Sequence, residues 1–151
     1  MTEGRLHRWA SLFLRIALGT AFLSAVADRL GLWGPPGTPG VAWGNMEQFM
    51  VYTGTLNPYL TGPLIPAVGW FVTAAEIAFS VGLFIGWRTR DVAFGSGCLL
   101  LAFDIAMTFT TGVKGPFDYS VFTASAGAFL LAVYPSGWLS VDAALSGAKK
   151  E

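Results

Sequence analysis

The chain has 151 residues, 54% of them hydrophobic and only 12% charged, with nine basic residues against nine acidic ones. A soluble domain carries about 25% charge, so a mean hydropathy of +0.57 places this sequence in the membrane class, and its balanced charge argues against nucleic acid as a partner. A single cysteine, Cys98, excludes an internal disulfide and a CxxC thiol enzyme, and a single histidine, His7, excludes bis-histidine haem ligation and a His-rich metal site. No intrinsic metal or cofactor is therefore expected.

The pattern predicts an all-α fold: one integral membrane domain over residues 1–151, built as a bundle of four transmembrane helices. A helical span needs about 20 mostly apolar residues. Four runs qualify, at about 9–32, 65–87, 92–113 and 120–139. The first is not read as a cleaved signal peptide, because Arg15 interrupts it and no small-residue cleavage motif closes it. The long first extracytoplasmic loop opens with Gly34-Pro35-Pro36-Gly37-Thr38-Pro39-Gly40, which no helix continues through. Asn45 followed three residues later by Gln48 resembles a capping box, and Met46, Phe49, Met50 and Thr53 recur at helical spacing. That predicts a short interfacial helix over the outer mouth, with an ordinary packed loop as the alternative. Asn57-Pro58 and Gly62-Pro63 end the segment.

Positive charge sets the orientation. Arg5 and Arg8, then Arg88 and Arg90, then Lys149 and Lys150 fall on one side of a four-span topology, while the opposite loops hold only Arg29 and Lys114. Both termini are expected to be cytoplasmic, in a bacterial or archaeal cytoplasmic membrane. Small residues at i, i+4 spacing, among them Ala17, Ala21 and Ala25, suit close helix packing in lipid and equally a homo-oligomer face.

Two acids carry the chemical interest. Glu76 and Asp104 each lie near the middle of an apolar run, where an ionised carboxylate costs roughly 2.5–3.5 kcal/mol and normally faces a bundle interior with a partner. Thr73, Glu76 and Ser80 share a stripe, as do Asp104, Thr108 and Thr111. Turning the stripes inward gives two layers. Glu76 and Asp104, with Arg15 reaching toward them, form the inner one. Asp28, Arg29, Lys114 and Asp118 form the outer one, with Tyr119 at the start of the last span. Buried ion pairs that merely fix helix register are the alternative reading.

The stretch Arg15–Arg29 (RIALGTAFLSAVADR) resembles the opening helix of the DoxX/DoxD family of small four-helix membrane proteins. Ala75–Arg90 (AEIAFSVGLFIGWRTR) is similar to its second helix, and Asp118-Tyr119-Ser120 fits the approach to its last. The resemblance covers nearly the whole chain, and the long Gly/Pro-rich first loop brings it closer to the DoxD-like branch. It implies the small subunit of a thiosulfate:quinone oxidoreductase or of a related redox complex, with quinone as co-substrate and a second membrane or periplasmic redox subunit as partner. The matched residues are Arg15, Asp28, Arg29 and Glu76. In that reading Glu76 or Asp104 exchanges a proton, Arg15 stabilises a reduced anion, and Arg29 with Lys114 holds an anionic sulfur substrate, with Asp28, Asp118 and Tyr119 completing the binding residues. A small proton-coupled transporter and a non-catalytic scaffold or assembly factor are the alternatives.

Overall fold

The computed structural model describes residues 2–136 and 138–147, and among these the chain is all helix and connection, with no strand. Its helices are α1 (Glu3–Arg29), α2 (Met46–Leu56), α3 (Leu64–Ile85), α4 (Thr89–Thr111), α5 (Lys114–Asp118), α6 (Val121–Val133) and α7 (Val141–Gly147). Three of them, α1, α3 and α4, are long and apolar enough to cross a membrane.

The fourth expected span is shorter than its apolar run. α6 ends at Val133, 13 residues after it starts, a rise of about 20 Å against a hydrocarbon core of roughly 30 Å. Pro135 cannot continue it, and the chain passes through a turn into α7 instead of remaining helical to Leu139. Lys149 and Lys150, the expected third basic group, lie outside the described residues.

Small residues set the helix contacts. α4 packs most extensively on α6, where Gly97 faces the ring of Phe129 and its carbonyl accepts the Ser125 hydroxyl at 3.0 Å. Between α1 and α3 the Ser80 hydroxyl donates to the Gly19 carbonyl at 2.8 Å. Between α1 and α6, Leu14 lies beside Gly127, and the Ser136 N–H donates to the Ser11 hydroxyl at 3.0 Å. These α1–α6 contacts sit on the N-terminal half of α1. Beyond them the apolar core brings Leu18 and Phe22 of the C-terminal half of α1 together with Leu83 of α3 and Leu131 and Ala132 of α6. Phe13, Phe71, Phe94 and Phe109 are exposed, as large side chains facing lipid would be.

Asn45 caps α2 as its spacing predicts, accepting the Gln48 N–H at 2.8 Å. The helix buries Phe49, Thr53 and Leu56. Met50 lies against Gly69 and Ile65 against Gly54, so α2 runs back along the first half of α3 as the short arm of a helical hairpin. The connection from Lys114 contains the single-turn helix α5 with Pro116 buried.

Candidate functional site

Glu76 finds its partner in Arg29. The last residue of α1 reaches the middle of α3, where Nη2 donates to Oε1 at 3.0 Å and Nη1 donates to Oε2. Both side chains are 2% exposed. Nη1 also donates to the Thr73 hydroxyl at 3.1 Å, one turn before Glu76, and that hydroxyl in turn donates to the Gly69 carbonyl. A fork-to-fork guanidinium–carboxylate pair is the strong form of the interaction, and burial on this scale requires such satisfaction. Phe49 from α2 covers the cation, with Cζ of Arg29 3.7 Å from the ring centre, and Trp43 approaches at 5.1 Å.

Asp28, adjacent in sequence, does something different. Its carboxylate accepts three backbone N–H groups, from Ala42, Trp43 and Gly44, each at 2.8 Å. It therefore clamps the end of the Pro/Gly loop and places Trp43 beside Arg29. Gly44 has φ +70, and a Cβ there would run into the Pro35–Pro36 backbone, so the clamp needs glycine at this point.

Below the pair lies a cavity of about 960 Å³, walled by α1, α2, α3, α4 and α6. Arg29 and Glu76 are its buried charges. Trp43, Phe49, Tyr52 and Phe103 supply aromatic surface, while Ala21, Ala25, Ala102 and Ala124 leave room between helices. Ala21 and Ala102 are solvent-accessible as well as cavity-lining, so the cavity opens sideways between α1 and α4. Tyr52 and Tyr119 both line it. Burial, with a smaller contribution from Tyr119, pushes the Tyr52 hydroxyl above its ordinary value of 10, which keeps it a hydrogen-bond donor at neutral pH.

The remaining expected site residues are dispersed. Arg15 is fully buried but does not reach the acids. Its guanidinium donates to the carbonyls of Leu83 (2.9 Å), Phe84 (3.1 Å), Trp138 (3.3 Å) and Leu139 (3.3 Å), closing the end of α3 against the turn after α6. Lys114 pairs with Asp118 across α5, both exposed, and neither joins Arg29 or Asp28. Asp104 is fully buried, yet neither carboxylate oxygen has a hydrogen-bond partner, so it makes none with Glu76.

Two contributions escaped sequence reasoning. Trp43 carried no site assignment, although its position two residues before the Asn45 cap placed it next to the predicted helix. Asp142 in α7 accepts the N–H groups of Arg88 and Thr89 at 2.8 Å, 54 and 53 residues away, and so caps α4. No local pattern could have revealed that pairing. Burial alone would raise the Asp142 carboxyl, but those N–H donors and the charge of Arg15 hold it below its ordinary 3.8.

Compared with protein-family models, curated proteins and solved structures, the chain matches none.

Proposed function

We propose that the chain is a four-span subunit of a redox complex in a bacterial or archaeal cytoplasmic membrane, and that its cavity binds a quinone. The carrying observation is the buried Arg29–Glu76 pair at the wall of a large, mostly apolar and aromatic cavity that opens sideways. A quinone combines a flat ring, two carbonyl acceptors and a lipophilic tail. Phe49, Trp43 and Phe103 suit the ring, the Arg29 and Tyr52 donors suit a carbonyl, and the alanine-lined opening suits entry from lipid. Glu76 exchanges the proton that accompanies reduction, while electrons come from a second membrane or periplasmic subunit. Thiosulfate as the electron source draws its support from the resemblance alone, since Arg29 is already neutralised by Glu76 and Lys114 by Asp118.

The orientation has support of its own. The start of α1, the α3–α4 turn and α7 meet at one end: His7 lies 3.1 Å from the Tyr134 carbonyl, and the Asp142 N–H donates to the Gly86 carbonyl. Arg5, Arg8, Arg88 and Arg90 belong to that end, which we assign to the cytoplasm.

The test is binding of a short-tailed quinone to protein in nanodiscs, read by quenching of Trp43 against a Trp43→Phe control. Saturable quenching that weakens at least tenfold in Glu76→Gln is expected; no saturable binding would refute the reading. One observation favours a second reading. Both Nη groups of Arg29 and both Glu76 oxygens are engaged without a guest, only the Arg29 Nε being unpartnered, as in a structural clasp of a scaffold, and such a clasp predicts lower stability in Glu76→Gln with no quinone binding in either protein.

A further inference from the structure

Every buried carboxylate but one in the described chain is met by donors. Glu76 has Arg29, Asp28 has three N–H groups and the partly buried Asp142 has two. Asp104 has none at either oxygen, although it is 0% exposed. Thr108, one turn further along α4, has a buried hydroxyl oxygen that is likewise unpartnered. Thr89 shares this state at the first residue of α4, where no carbonyl lies one turn back within the helix, but Thr108 stands inside it. Ser96, Thr110 and Thr111 each donate to the carbonyl four residues back, the ordinary outlet for a helical hydroxyl, whereas Thr108 does not.

Asp104 stands seven residues, two turns, beyond Gly97, whose carbonyl takes the Ser125 hydroxyl. It therefore lies on the α6-facing seam of α4. It is absent from the cavity wall that holds Glu76. Exposure falls along the seam from the outer end inward: Thr111 is exposed, Thr108 half-buried and Asp104 fully buried. At 1.5 Å per residue this stripe of oxygen atoms extends about 10 Å.

We propose that Asp104 and Thr108 form a binding site for a monovalent alkali cation, separate from the Arg29–Glu76 cavity. An ionised carboxylate offers acceptors only, and a bound cation satisfies both of its oxygens and the Thr108 oxygen together. Hard oxygen ligands select an alkali or alkaline-earth ion over a transition metal. One carboxylate balances one charge, and a small ligand set completed by water favours a monovalent ion over calcium, which takes six to eight oxygens. Thr111 at the outer end provides the approach.

The test is thermal unfolding of the full chain in detergent, in chloride salts of sodium, potassium, lithium or choline at constant ionic strength. Stabilisation that saturates with alkali cation and is absent with choline is expected. Thr108→Val, close in shape but lacking the oxygen, should raise the half-saturating concentration roughly tenfold, and Asp104→Asn should abolish the dependence. Equal Tm in all four salts, or a cation response that survives in Asp104→Asn, overturns the proposal. Should Asp104→Asn fail to fold, sodium-23 line broadening on the wild-type protein decides: broadening reversed by excess lithium or potassium supports the site, and unbroadened sodium overturns it.

Discussion

Arg29 ends α1 and Glu76 occupies the middle of α3, yet the two meet in a two-pronged pair with 2% exposure on each side. Gly19 already stands beside Ser80, so α1 runs on past the centre of α3 and the Arg29 side chain reaches back to Glu76. α2 and the Pro/Gly loop occupy the space beyond α1, alongside the first turns of α3.

Removing one member of this pair should cost far more than removing both. Arg29→Met leaves Glu76 buried without its counter-charge and should lower stability by roughly 3–5 kcal/mol. The double replacement Arg29→Met with Glu76→Leu should restore most of that loss. Chemical unfolding of the four proteins of the cycle in mixed micelles measures both quantities.

The Asp28 clamp should behave as a local lock. Asp28→Ala removes three charge-assisted hydrogen bonds, each of a kind worth about 1.5–3 kcal/mol when a charged group is involved. Amide exchange should rise across residues 34–45 while the middle of α3 stays protected. Equal protection in both proteins would contradict the assignment.

Docking of α7 should depend on acid in a defined direction. The Asp142 carboxyl is held below its ordinary 3.8 in the folded chain. A carboxyl depressed by folding adds stability that is fully present above the ordinary value and is lost as pH falls through the folded one. Proteolysis within α7 should therefore be slow at neutral pH and accelerate only below about 3.8. Asp142→Asn should weaken docking at neutral pH by roughly 0.5–2 kcal/mol, the usual worth of a cap, and remove the acid response.

The α4–α6 seam should not accept bulk. A Cβ on Gly97 would stand 2.9 Å from the Phe129 ring, and Gly97→Val should destabilise by about 1–3 kcal/mol through overpacking. Pairing it with Phe129→Leu should recover part of the loss, as read by the same unfolding assay.

Whatever depended on neighbouring residues was visible in the sequence. The Asn45 cap follows from a three-residue spacing, and the buried state of Glu76 and Asp104 follows from apolar runs too long to leave an acid in lipid. Partner identity was not visible. Arg15 was the nearer cation by depth alone, but depth does not give side-chain direction: Arg15 turns to the carbonyls at the end of α3, and Arg29 reaches along α3 to Glu76 instead. The shortness of α6 was hidden for a different reason. Trp138 and Leu139 are apolar enough to extend a span, but a helix interrupted at Pro135 cannot use them, and hydropathy does not register where backbone hydrogen bonding stops.

The four carbonyls held by Arg15 carry a consequence for biosynthesis. Leu83 and Phe84 are made 68 and 69 residues after the arginine, and Trp138 and Leu139 another 54 to 56 residues later. As α1 leaves the ribosome, its guanidinium has nothing to bind. The arginine gains its first two carbonyls only when α3 emerges and its full set only with the turn after α6. Full integration of the beginning of this polypeptide is thus a late event, and chains truncated before Trp138 should leave α1 easier to extract with alkali than it is in the whole chain.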